Sequence, residues 1–398
     1  MLICRLANIT ARLPQNAIMF AIVVALAACA PTSRLPQVDP EAQKKEAALQ
    51  REFVVKDQVE RTIRLYTVSH PILARSADLC GKNVRLAAGF VPMSRTFFKR
   101  DFQHAARRAL GIDDNIRVLA VSAQSAADRA GLRAGDRILA LNGVGVPGEV
   151  ATPESETSND PGPDRQPDDP SRTSLQTFLK RMQEIGEAGE AWKLTVQRGE
   201  ETLALTITPE PVCDFDLIAS DSTELNAFAD GKRVVVTAAM MRFAQADIEL
   251  ATVVGHEVAH NMQGHIDAKL GNYALGSIVD VLFAAGGIYT GGAFGKVGAG
   301  AFSQDFEAEA DYVGLYLAAR AGFAIENSPN FWRRMAAANP SSVKNSHTAS
   351  HPPTPQRFLA LEKTVAEIRA KQVAGQPLVP EKRANDKPAD APPDKPAS

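Results

Sequence analysis

Asp247–Ile266, DIELATVVGHEVAHNMQGHI, is the stretch on which the fold class turns. Leu250, Val254 and Val258 recur at helical spacing, and His256, Glu257 and His260 lie inside that repeat. Four residues apart on a helix, two imidazoles project from one face, so both reach a single Zn2+ at about 2.0–2.1 Å. Glu257 sits beside them, placed to handle a water proton. His265 falls about 140° round the helical wheel from His260, which reads as a core or surface histidine and not a ligand. A catalytic zinc needs a third protein ligand and an open position. Ser303–Leu315 (SQDFEAEADYVGL) reads as a second helix with Glu307 and Asp311 on one face and Glu309 turned away by about 200°. Glu307 is the candidate third ligand, and Asp311 can accept the free ring N–H of a zinc histidine. The pattern predicts one Zn2+ per chain.

Around these helices stand Asn226-Ala227-Phe228, the strand Arg233–Thr237, Glu249-Leu250 ahead of Gly255-His256-Glu257, then Ala310-Asp311, and His351-Pro352-Pro353 with Arg357. Over about residues 211–365 the set resembles the peptidase family of the CAAX prenyl protease and the heat-shock protease HtpX, particularly its periplasmic branch. The resemblance implies a zinc endopeptidase with His256, His260 and Glu307 as ligands and Glu257 as general base. It also implies that Val234, Val235, Val236 and Thr237 form a sheet edge beside the cleft. An unfolded or misassembled envelope protein would add there as an extended strand. Gln304 departs from the family, where Arg is common after the Ser. His351, stiffened by two prolines, would donate to the developing oxyanion, occupy the open zinc position, or stand in a plain surface turn. Arg357 would anchor that loop or assist the same charge.

At the N-terminus, Arg5 and Arg12 precede the apolar run Ala17–Ala28, too short to span a bilayer but suited to a secretory signal. Leu26-Ala27-Ala28-Cys29 resembles a bacterial lipoprotein box, which implies cleavage after residue 28 and attachment to the membrane through lipid on Cys29. Ala30 resembles the outer-membrane sorting pattern, giving the periplasmic face of a Gram-negative outer membrane. The alternative is an ordinary signal with a fortuitous Cys. Loss of Cys4 and lipidation of Cys29 leave Cys80 and Cys213, which are expected to pair in an oxidising compartment, the alternative being two unrelated buried thiols.

Ile116–Gly143 alternates as strands around a short helix and contains AGLRAGDRIL followed by LNG, and with residues up to 209 it resembles a bacterial PDZ-type domain. This implies a groove for a peptide or C-terminus, with Leu110-Gly111-Ile112 as the carboxylate loop by position. Residues 147–173 are an acidic, Pro-rich loop inside it, and the helix at 40–68 belongs by resemblance to the peptidase, so the PDZ unit reads as inserted. The fold class expected is α+β: a mainly helical HExxH zinc-peptidase domain with a small edge-strand sheet, plus an inserted mostly-β PDZ-like domain. The boundaries are 1–28 signal, 29–80 linker and helix, 81–210 PDZ-like, 211–370 peptidase and 371–398 disordered tail. Gly-rich residues 271–300 read as a helical hairpin or lid over the cleft, as a plain packed hairpin, or as a surface membrane contact.

The whole chain has 398 residues, 45% of them hydrophobic, with 44 Lys plus Arg against 46 Asp plus Glu. That balance offers no positive field for nucleic acid, which is set aside as a partner. The rival from another class is a non-enzymatic envelope chaperone or scaffold that binds peptides through the PDZ-like groove.

Overall fold

The computed structural model describes residues 33, 36–146, 170–285, 303–338 and 354–381. The chain divides into two compact units, Met1–Gln50 and Arg51–Ser398. Of the first, the described part is little more than the opening turns of helix α1 (Pro40–Arg75), where Asp39 Oδ2 accepts the Ala42 N–H at 3.1 Å.

Within the second unit, α1 contributes to two cores. Val55 and Val59 join Met93, Phe98, Ala105, Ala106 and Ile112, whereas Leu65, Val68, Ile72 and Leu73 enter the large core around the histidine helix. After α1 come strands β1 (Val84–Ala87) and β2 (Phe90–Met93), helix α2 (Arg100–Leu110), β3 (Arg117–Val121), the short α3 (Ala126–Arg129), β4 (Arg137–Leu141) and β5 (Val144–Gly145). Helix α4 (Pro170–Glu187) and strands β6 (Trp192–Arg198), β7 (Glu201–Ile207) and β8 (Glu210–Cys213) complete this part. Strands β2-β3-β4-β6-β7 lie side by side, with β5 on β4, over a core of Phe90, Ile116, Leu141, Phe178 and Trp192. At the β4–β5 turn the Asn142 side chain accepts from Lys193 N at 2.7 Å and donates to Ala191 O at 3.2 Å, fixing the hairpin to β6.

One expected feature of this sheet domain is corrected. Leu110-Gly111-Ile112 is the end of α2: Gly111 takes the left-handed conformation (φ 66°), and its N–H bonds Arg107 O while Ile112 N–H bonds Ala106 O. These donors close a helix and have nothing left for a ligand carboxylate. This sheet ends at β2, where pairing is interrupted by a register shift at Val91/Pro92, and at β7 on the other side.

Strands β1 and β8 pair antiparallel, Val84 opposite Cys213 and Ala87 opposite Glu210, so the chain leaves for the sheet domain and returns at one neck. A disulfide joins Cys80 to Cys213, with Cα atoms 5.6 Å apart. Beyond the neck follow β9 (Asp216–Ser220), β10 (Ala227–Ala229), β11 (Arg233–Thr237) and helices α5 (Ala238–Phe243), α6 (Asp247–Met262), α7 (His265–Ala285), α8 (Ser303–Arg320), α9 (Ser328–Ala338) and α10 (Pro355–Val373).

Two further expectations are corrected here. The strand holding Val234, Val235, Val236 and Thr237 is central, not an edge: β10 flanks it antiparallel and β9 parallel. Its run of valines is buried, as suits a strand covered on both faces. The edge is β10. The second correction concerns the C-terminus. Residues 371–381 are ordered: Lys371 Nζ bonds Val379 O, Arg320 Nη1 bonds Leu378 O, and Glu381 N–H reaches the Tyr312 hydroxyl. The polar, Pro-rich composition hid these anchors.

Reducing the Cys80–Cys213 link should lower the thermal midpoint, since the disulfide spans a sequence separation of 133 and loop-closure entropy for that length is about 5 kcal/mol. Thermal melts with and without reductant test this, and two alkylatable thiols in the folded oxidised protein would refute the bond.

Candidate metal centre

The site is built on the crossing of α6 and α8. Helix α6 begins with Asp247 as its first residue, and Glu249 Oε2 reaches back to accept the N–H groups of Gln245 and Ala246. Arg334 clamps the same carboxylate at 2.7 and 2.9 Å and lies over the Phe243 ring, fixing the helix at its start. One turn before the second histidine, Gly255 meets Gly314 of α8. A Cβ on Gly255 would fall 2.5 Å from Gly314 O, and one on Gly314 2.7 Å from His256 N. Only two glycines allow the backbones this close. Two turns back along α8 from Gly314, Glu307 is thereby carried to the histidines.

His256, His260 and Glu307 offer ligand atoms within 4.8 Å of one another, and all three side chains are buried. The two Nε2 atoms are 3.1 Å apart; Glu307 Oε2 is 3.3 Å from His256 Nε2, and Oε1 is 3.4 Å from His260 Nε2. Tetrahedral ligands at about 2.0–2.1 Å from a zinc ion stand about 3.3–3.4 Å from each other, so donor type and spacing both fit Zn2+. Glu257 lies buried in the same turn. Lys269, on α7, brings Nζ to 3.8 Å from Glu307 Oε1.

Behind His256, Nδ1 stands 2.9 Å from Asp311 Oδ1, and Asp311 takes a two-pronged contact from Arg357 Nε at 2.7 Å and Nη2 at 2.8 Å. Arg357 is itself buried, packs over the Trp332 ring, and places Nη1 3.4 Å from Glu307 Oε2. Burial pulls the His256 pKa down, but hydrogen bonds and charge from Asp311 and Glu307 outweigh it and lift the value to about 9 in the metal-free protein. Burial works against the Asp311 carboxylate too, yet the charge of Arg357, then His256, holds its pKa below the usual range. Arg357 therefore holds Asp311.

The wheel missed two residues. His265 contacts His260 directly, Nδ1 to Nδ1 at 3.0 Å, and its Nε2 is 3.0 Å from Glu309 Oε2. The extrapolation failed because α6 stops before Gly264, whose φ of 68° turns the chain. Asn261 accepts the Gly231 N–H at 2.7 Å and donates to Arg233 O at 3.1 Å, so the residue after His260 holds the β10–β11 turn. Nothing in the HExxH pattern signalled it. His351 and Cys29 lie outside the described residues.

Two buried helices contributing a His-His-Glu cluster, with a carboxylate behind the first histidine, define a metallopeptidase-like domain. Residues 196–365 match peptidase family M48 and residues 117–151 match the PDZ domain, so over those segments the chain is similar to both. Among similar proteins, the Beta-barrel assembly-enhancing protease of Escherichia coli is 32% identical over 136 residues, 30% of this chain and 28% of that protein. The mitochondrial metalloendopeptidase OMA1 of Schizosaccharomyces pombe is 31% identical over 155 residues, 37% of this chain and 45% of that protein. The match thus spans less than half the length of either relative.

Gly314→Ala should force the helices apart, destabilise the protein by about 1–3 kcal/mol or more, and weaken zinc binding. Gly271→Ala, on α7 with open space around it, is the control and should be neutral or slightly stabilising. Asp311→Asn should cost about 10–100-fold in zinc affinity and about 3 kcal/mol of apo-protein stability, since Arg357 loses its nearest carboxylate in a buried setting and keeps only longer contacts such as that to Glu307. Zinc titration against a chromophoric chelator, with thermal melts, measures both.

Proposed function

We propose that this protein is a zinc-dependent endopeptidase of the bacterial cell envelope that hydrolyses peptide bonds in misfolded or misassembled envelope proteins. The observation that carries the reading is the convergence of His256, His260 and Glu307 inside the M48-matched segment. Bound zinc would supply Lewis acidity, polarising the scissile carbonyl and making water easier to deprotonate. Glu257 then takes the water proton and passes it to the leaving amide nitrogen. Asp311 keeps the His256 hydrogen on Nδ1, so that Nε2 presents its lone pair as the ligand. His351 remains a proposal for oxyanion stabilisation or for closing the open position.

An extended substrate adds to the free edge of β10. Thr237 N–H bonds Asn226 O, and Asp230 N–H bonds Arg233 O, so Asn226, Phe228 and Asp230 face β11. By alternation Ala227 and Ala229 turn their N–H and C=O groups to the open side. Main-chain pairing there makes few side-chain demands, which suits unfolded substrates of varied sequence. The PDZ domain would take a peptide or C-terminus along β2, and lipid on Cys29 would tether the protein to the periplasmic face of the outer membrane. The names of the bacterial relatives support the envelope setting.

Glu257→Gln should retain one zinc while cleavage of casein falls below a few per cent of wild type; retained cleavage would remove Glu257 from the base role. Ala229→Pro deletes an outward N–H without touching the β11 ladder, so zinc content should hold while cleavage drops about tenfold. Full cleavage by that variant would move the substrate off β10. A wild-type protein that binds peptides but never cleaves them would favour the scaffold.

A further inference from the structure

The support behind His260 differs from that behind His256. Where α6 ends, Gly264 turns the chain and α7 opens at His265, which brings that ring back against His260. The ring is 2% exposed and stacks on Phe306, centroids 4.6 Å apart and planes at 20°. Its two nitrogens make two contacts, Nδ1 with His260 Nδ1 and Nε2 with Glu309 Oε2, each at 3.0 Å. Gln263 Nε2 donates to the other Glu309 oxygen at 3.1 Å.

The proton order follows from these contacts. To serve as a ligand through Nε2, His260 carries its hydrogen on Nδ1 and donates it. His265 Nδ1 must then accept, so its own hydrogen sits on Nε2 and goes to the Glu309 carboxylate. A single tautomer at each ring satisfies both contacts, and the acceptor at the far end is charged.

We propose that His265 and Glu309 are positioning residues of the metal centre, a relay that fixes the tautomer and ring orientation of His260 as Asp311 does directly for His256. The inference rests on the zinc reading given above. Alternate residues of α8 then hold three tasks: Glu307 binds, Asp311 supports the first histidine, and Glu309 supports the second through an intervening imidazole. The two arms differ in where they end. Asp311 is buried on Arg357, while the Glu309 side chain is 47% exposed.

Zinc affinity of the full chain, by competition with a chromophoric chelator, tests the relay together with the visible spectrum of the cobalt-substituted protein. His265→Phe keeps the ring on Phe306 and removes both nitrogens; affinity should fall about 10–100-fold and the cobalt bands should shift. His265→Asn restores an acceptor near the Nδ1 position and should recover part of the loss. Glu309→Gln changes a half-exposed carboxylate outside the cores, so it decides the matter if the Phe variant does not fold; a loss of about threefold or more is expected. Affinities within about twofold of wild type for both His265→Phe and Glu309→Gln would overturn the relay while leaving the zinc site standing. A wild-type chain that binds no zinc would instead overturn the reading of the site itself.

Discussion

Everything in the candidate metal centre depends on a contact between two backbones. Gly255 and Gly314 let α6 and α8 touch where any side chain would hold them apart, and the histidine pair and the carboxylate that complete the cluster are placed from that crossing. Close backbone approach without a side chain is stiff: there are no rotamers to absorb a displacement. The surrounding core, with Leu250, Val254, Val258, Leu315 and Tyr316 buried to 1% or less, keeps the crossing from sliding. Specific chemistry thus starts from two residues that carry no functional group.

How far the sequence could be read depended on whether a feature was local. The spacing of His256 and His260, and of Glu307 and Asp311, is set by one helix each, so periodicity was enough to place them on common faces. Strand order is not local. Arg233–Thr237 was legible as a strand, but nothing in it told that Asp216–Ser220, a short stretch of mixed polarity, would pair on its far side in parallel. Leu110-Gly111-Ile112 matched a loop by position, while the amphipathic run Phe102, Ala105, Ala106 and Ala109 before it makes it a helix end. The 140° wheel angle for His265 held only as long as the helix did, and one glycine broke it.

Helix α1 ties these pieces into one body from Arg51 onward. Its Arg64 bonds Asp247 at the start of the histidine helix and Met241 O, its Arg75 bonds Ala321 O just past the end of α8, and its Val55 and Val59 pack on α2. The one ion pair in this set, Arg64–Asp247, adds little by itself. The value of these contacts is geometric, since one rigid rod contacts the beginning of α6, the end of α8 and the flank of the inserted sheet.

The neck has a consequence for biosynthesis. A chain delivered from its N-terminus presents β2 to β7 as one contiguous block, which can close before the core around the histidine helix has its strands. Cys80 must wait through that interval, because its partner arrives 133 residues later. No cysteine occurs between them. Correct oxidation therefore needs no isomerase to choose among partners within the block: the thiol meets its mate only when a finished insertion hands back the returning strand.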